Sequence, residues 1–431
     1  MATGVVKTFA ETCHSLQDPR LVARFQHLCG VRGTFPEKAT VEPQDGGGDD
    51  DRPELRRRSP GDDASNGAAV HANGKASDPD PGPEDEDEDE SSARAKPLRR
   101  NSLTGDVGQE FLIRNKFLFY LFTFGTELGN EMFFIAFFPF LFWNIDALVS
   151  RRLIVVWAWN LMVGQSTKDM VRWSRPASPP VVKVEVFYNS EYSMPSTHAM
   201  TGTAVPFGLF MLTYGRWQYP FVLGLCVALC WSALVCVSRV YMGMHSVLEV
   251  ITGFLYSVLI LAFFQQTLDK IDDFYMTHAY APLVIVVSHV GLGLVAFSLD
   301  SWSTSRGDTA QALGTGAGAA LATHVNFRLG LTADPPASSL PLAARSLGAG
   351  AAARSLLRFA VGVAVILLTR TVMKALAIPF LCRLAGLPAD DVRRARQRMA
   401  VELPYRYIVY SVVGFTCVCV VPLFFKLVSL A

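Results

Sequence analysis

Apolar residues in this chain gather in long runs separated by short polar stretches. From position 117 onward nine such runs follow one another, at 117–143, 153–164, 199–214, 220–237, 247–264, 281–297, 309–325, 356–380 and 407–430. A helix needs roughly 20 residues to cross the hydrocarbon core of a bilayer, and several runs reach that length only with their polar flanks. The pattern predicts an all-α, polytopic membrane helical bundle of about nine transmembrane helices. In the seventh run, Gly314, Gly316 and Gly318 suit close packing of one helix on another.

Residues 1–108 read differently. The middle of this stretch is rich in Gly, Asp, Pro, Ser and Glu, and such a composition buries too little apolar surface to order itself. It is expected to be a disordered acidic tail, with 109–431 forming the membrane domain. The nearly continuous acidic run at 78–90 reads as a solvated spacer. Arg99-Arg100-Asn101-Ser102-Leu103 has the look of a basophilic kinase site, although the match is short. No cleavable signal peptide is expected, because the first residues lack an apolar core.

Composition sharpens this picture only a little. The 431 residues are 50% hydrophobic and 18% charged, as membrane proteins are, and a net charge of +1 gives no field that would attract nucleic acid. Of the eight cysteines, Cys13 and Cys29 lie near the start, and Cys226, Cys230, Cys236, Cys417 and Cys419 lie within apolar runs. Cys382 follows another run. There is no Cys-x-x-Cys pair, so neither a disulfide framework nor a zinc site is expected.

Against this background three polar stretches carry chemistry. Lys168, Arg172 and Arg175 follow the second run at a spacing that, on a helix, puts all three on one face. Pro195-Ser196-Thr197-His198 precedes the third run and reads as a helix start, whose free N–H groups suit a phosphate. Ser238-Arg239 and His245 join the fourth run to the fifth. Glu249 stands four residues beyond His245, within reach of its imidazole on a helix. Counting along the spans, all three stretches emerge on one membrane face. Singly, each has a plain structural explanation: interfacial anchors, a helix cap, a buried histidine. Together they assemble cations, two histidines, a carboxylate and a helix N-terminus in one place.

Lys168-x6-Arg175-Pro176, Pro195-Ser196-Thr197-His198 and Ser238-Arg239-x5-His245-x3-Glu249 resemble the three motifs of the type 2 phosphatidic acid phosphatase superfamily. That superfamily includes lipid phosphate phosphatases, glucose-6-phosphatase and vanadium haloperoxidases. Thr197 stands where the general motif has Gly, and Glu249 where it has Asp. The stretches 188–200, 238–245 and 303–310 resemble the sphingosine-1-phosphate phosphatase branch.

The resemblance implies an enzyme that hydrolyses a sphingoid base phosphate in the bilayer, without cofactor or metal. His245 would be the nucleophile, Glu249 its orienting partner and His198 the general acid and base. Lys168, Arg175, Arg239, Ser196 and Thr197 would hold the phosphate, with Arg172 in an outer shell. It further implies an endoplasmic reticulum membrane with a lumenal active site. Rival readings are a sugar-phosphate phosphatase, a catalytically weakened lipid-binding relative, and an unrelated transporter. Glu127 and Glu131, expected on one face of the first span, would either bond between helices or receive the substrate ammonium.

Overall fold

The computed structural model describes residues 2–33, 111–185, 191–299, 305–332, 334–343, 348–387 and 398–430. The acidic run at 78–90, the Arg99–Leu103 stretch and the basic residues from Arg393 to Arg396 lie outside the described residues.

Helices make up most of the described chain. The first two are α1 (Ala2–Gln17) and α2 (Pro19–Leu28), followed by β1 (Val31–Gly33), which pairs antiparallel with β2 (Phe111–Ile113). Then come α3 (Lys116–Glu127), α4 (Glu131–Asn144), α5 (Ala147–Val171), α6 (Thr197–Thr213), α7 (Phe221–Tyr241) and α8 (Val247–Thr277). The remainder are α9 (Ala281–Ser298), α10 (Ser305–Arg328), α11 (Ala349–Leu384) and α12 (Met399–Phe415). A π-helical turn (Thr416–Val420) joins α12 to α13 (Val421–Leu427).

The first 33 residues therefore depart from the expected tail. Gln26 of α2 is buried and bridges two distant backbones. Its amide nitrogen donates to the carbonyls of Val182 (2.7 Å) and Tyr241 (2.9 Å), and its oxygen accepts from the Val182 N–H (2.9 Å). Val22 and Val31 are buried as well. A short amphipathic helix gains its order from such docking, which composition does not register.

All nine apolar runs are helical, but they are not equal. Among the described residues, six helices are long and apolar enough to cross a membrane: α5, α7, α8, α9, α11 and the continuous stretch Met399–Leu427. The first run is broken into α3 and α4 at Gly129-Asn130, two poor helix formers. α6 has 17 residues, and α10 is built largely from Gly, Ala and Thr. Those small residues let α10 lie against α12 at close quarters. A Cβ on Gly318 would collide with the Ser411 carbonyl oxygen, so only glycine fits there.

Large apolar side chains point outward along α7, α8, α9 and α11, among them Leu259 (70% exposed), Leu294 (64%) and Leu368 (65%). Such a belt costs free energy in water and is satisfied by lipid tails. At the start of α5, Arg151 pairs with Asp272 (2.9 Å) and Asp334 (2.7 Å), fastening α5 to the far end of α8. The opposite ends of α5 and α7 meet the starts of α6 and α8, and there the three motifs converge.

Candidate active site

Local sequence fixes each wall of this site. α5 stops at Val171 because Arg172 turns into the left-handed region (φ 57°). That turn ends the expected shared face. Lys168 stays in the last helical turn and Arg175 lies beyond it, whereas Arg172 is directed to the Leu299 carbonyl (2.9 Å) at the end of α9. Ser196 caps α6, its hydroxyl accepting from the Ala199 N–H (3.4 Å). Ser246 caps α8 in a reciprocal capping box with Glu249: the Ser246 hydroxyl accepts from the Glu249 N–H, and the Glu249 carboxylate accepts from the Ser246 N–H (3.1 Å). The capping box favours glutamate at this position, which gives a local reason for Glu249.

The carboxylate oxygen that accepts from Ser246 also lies 3.0 Å from His245 Nδ1 and accepts a short hydrogen bond from the Ser193 hydroxyl. A proton on Nδ1 is thereby held towards Glu249, and the lone pair stays on Nε2. Arg175 Nη1 donates to that atom (3.2 Å) and to the Met244 carbonyl (3.0 Å). Burial lowers the His245 pKa well below the ordinary imidazole value, and Arg175, Arg239 and Lys168 lower it further. The ring is thus neutral, with Nε2 available as base or nucleophile.

The cations form a tight group. Lys168 Nζ contacts Glu191 (2.8 Å) and the Thr197 hydroxyl (3.1 Å), and Arg175 reaches the other oxygen of Glu191 (3.1 Å). Arg239 is fully buried and pairs with Glu185 (2.9 Å). Burial pushes the Glu191 carboxyl up, but Lys168 and Arg175 outweigh it and hold the group below the usual carboxylate range. His198 occupies the first turn of α6 beside Thr197 and lines a cavity of about 70 Å³ with Glu191 and Thr197.

Glu191, Ser193 and Lys183 fall outside the residues that the sequence singles out. Lys183 Nζ is buried with no hydrogen-bond partner among the described residues. Burial and then Arg175 depress its ammonium to about 8, against the pull of Glu249. A lone lysine in a loop carries no sequence signal, whereas the carboxylate and hydroxyl just ahead of Pro195 lie within the motif loop and are open to notice there.

The Glu127 and Glu131 pair is not as expected. The helix break separates them, so they share no helical face, and Glu127 is exposed with its carboxylate bonded to Asn130 (3.2 Å).

Residues 150–272, which hold all three motifs, match the PAP2 superfamily. Over nearly its whole length the chain is 49% identical to sphingosine-1-phosphate phosphatase 1 of Rattus norvegicus, covering 96% of this chain and 97% of that protein. The chain belongs to the sphingosine-1-phosphate phosphatase family. Sphingosine-1-phosphate phosphatase 2 of Homo sapiens is 37% identical, covering 98% of this chain and all of its own length. Lipid phosphate phosphatase delta of Arabidopsis thaliana is 31% identical over 151 residues, a third of this chain. No solved structure matches. Family membership makes the chain a multi-span membrane phosphatase, a phosphoric monoester hydrolase, and accounts for buried charge at one end of an apolar bundle.

Proposed function

We propose that this protein hydrolyses sphingosine 1-phosphate and related sphingoid base phosphates to the free base and phosphate, through a phosphohistidine on His245. The observation that carries the reading is His245 itself. Its Nδ1 is held by Glu249, and its Nε2 faces the cluster formed by Arg175, Lys168 and Arg239.

In this reading Nε2 of His245 attacks phosphorus and the bond to the sphingoid ester oxygen breaks. His198 gives that oxygen its proton, then takes one from the water that cleaves the phosphorus–nitrogen bond. Glu249 steadies the imidazolium formed in between. Lys168, Arg175, Arg239, the Ser196 hydroxyl and the Thr197 N–H oppose the charge on the phosphoryl oxygens at the positive end of α6. Lys183 adds a further cation.

A lipid substrate is supported by what lies past His198. The cavity there shares Phe134, Trp157 and Gln311 with a second, apolar cavity of about 60 Å³. The second is lined by Ile135, Phe138, Ile154, Val413 and other apolar residues. The first methylenes of a hydrocarbon chain find partners there, and a sugar phosphate does not. We further propose residence in the endoplasmic reticulum with the active site lumenal, a placement that rests on the family resemblance. Accessibility of a cysteine placed in the loop at 215–219, which lies at the opposite end of α6 from the motifs, reports that orientation.

The test is phosphate release by the purified full chain from sphingosine 1-phosphate and from glucose 6-phosphate. The expected result is turnover of the lipid only, retained in EDTA because Lys and Arg supply the charge, and blocked by vanadate. Turnover of the sugar phosphate alone would overturn the reading.

A further inference from the structure

A cavity of about 220 Å³ lies at the end of the bundle away from the catalytic residues. Its walls come from the end of α4, the start of α5, the end of α10, the start of α11 and the turns that follow α12. Arg151 in its wall and Lys168 at the catalytic end are about 25 Å apart along α5, at a helical rise of about 1.5 Å per residue. The cavity therefore opens at the opposite membrane face.

Phe142, Trp143 and Phe425 give it an apolar wall. Two carbonyls of the π-helical turn hold that wall in place. The Cys417 oxygen accepts from Trp143 Nε1 (2.9 Å), and the Val418 oxygen accepts from Asn326 Nδ2 (2.9 Å). The charged side of the cavity is formed by Arg151, Asp334, Arg358 and Lys426. Arg151 and Asp334 neutralise each other, because both Asp334 oxygens accept from the guanidinium (2.9 and 2.7 Å). Arg358 and Lys426 are not offset in this way. Arg358 donates Nε to the Leu430 carbonyl, just past Lys426, which brings the two cations together. Neither its remaining nitrogens nor the exposed Lys426 ammonium meets a carboxylate among the described residues.

Arginine and lysine at helix ends also serve as interfacial anchors that reach out to water. An anchor needs no pocket, whereas here both cations line a concave site with an aromatic wall. Basic pockets between helices at a membrane surface suit anionic lipid headgroups. We propose that this cavity binds the phosphate headgroup of an anionic phospholipid, in the leaflet opposite to the catalytic centre. Arg358 and Lys426 hold the phosphate oxygens, the guanidinium through two parallel N–H groups. The apolar body of the lipid leaves along Phe142, Trp143 and Phe425. On the orientation proposed above this is the cytosolic leaflet, whose anionic lipids give the surface its negative potential. The bound lipid fastens α11 and α13 to α4 and α5, and a ligand held only by the folded state raises its stability.

The test uses the purified full chain in nanodiscs of phosphatidylcholine with and without phosphatidylglycerol. Native mass spectrometry reads the retained lipid, and a thermal scan reads Tm. Wild type should retain phosphatidylglycerol over phosphatidylcholine, and its Tm should rise with the anionic lipid. Replacing both cations, Arg358→Gln with Lys426→Gln, should lower that retention by about tenfold to a hundredfold, the loss expected for charge-assisted hydrogen bonds, and remove the rise in Tm. Turnover in phosphatidylcholine alone should stay at the wild-type level, because neither residue belongs to the catalytic end. Should the double variant not accumulate as folded protein, Lys426→Gln alone, at an exposed position, should give a smaller loss in the same direction. Equal retention of the two lipids by wild type, or retention unchanged in the variants, would overturn the inference and leave Arg358 and Lys426 as interfacial anchors. Displacement of phosphatidylglycerol by inorganic phosphate at constant ionic strength would overturn the lipid assignment in favour of a soluble phosphate.

Discussion

Besides the His198 acid, two titrating groups at the site shape the expected pH profile. His245 acts as the neutral imidazole, and its pKa lies well below the ordinary 6.5. The acid limb of kcat/KM, which reports groups in the free enzyme, should therefore appear only as pH falls well under that value. Lys183 works in the opposite sense. Its ammonium is depressed to about 8, so it loses its proton as pH rises through that point and its hold on phosphate weakens. An alkaline limb near pH 8 is expected, and Lys183→Arg, which stays charged, should move that limb upward. A limb unmoved by that substitution would show that Lys183 does not touch phosphate. The motif residues were legible in the sequence because phosphate chemistry demands particular side chains at fixed spacing. Lys168, Arg175, Arg239, Ser196, Thr197, His198, His245 and Glu249 do converge. Arg172 departs from them because spacing alone does not reveal where a helix ends.

At the scale of elements, apolar runs announce helices well and their interruptions poorly. Gly129-Asn130 splits the first run, and this break rather than any charge decides where Glu127 points. α2 is invisible to the same reading, since ten residues of mixed character have no span-like signature. Its importance is structural: Gln26 satisfies three buried backbone groups flanking the first and third motifs. Gln26→Ala leaves those groups unpaired, at about 1–3 kcal/mol for each buried group left without a partner. The variant should show a clearly lower Tm in detergent and a reduced kcat, because Tyr241 and Val182 position Gly243 and the loop that carries His245. Gly243 itself has φ +70°, and a Cβ there would run into the Val182 carbonyl oxygen. An unchanged Tm for Gln26→Ala would mean that α2 is not part of the folded unit in solution.

The molecule as a whole is a bundle whose charged end does chemistry and whose apolar flank meets lipid. The two cavities that share Phe134, Trp157 and Gln311 in their walls give this division a functional sense. If the second holds the hydrocarbon chain, filling it should shorten the chain that the enzyme prefers. Val413→Phe should lower kcat/KM for long-chain sphingoid phosphates more than for short-chain ones. A uniform loss would place the chain outside that cavity. Composition could not foresee this path, because the same apolar side chains serve as core, as lipid-facing surface and as cavity wall. Only the packing of α4, α5, α10, α11 and α12 distinguishes them. The most direct test of the account is to trap its covalent intermediate. The full-length protein is mixed with sphingosine 1-phosphate carrying labelled phosphate, quenched in alkali within the first turnover and mapped by mass spectrometry. The account predicts an acid-labile, alkali-stable phosphate on His245, absent when His245 is replaced by Ala. Label on another residue, or phosphate release by a folded His245→Ala protein at the wild-type rate, would contradict it.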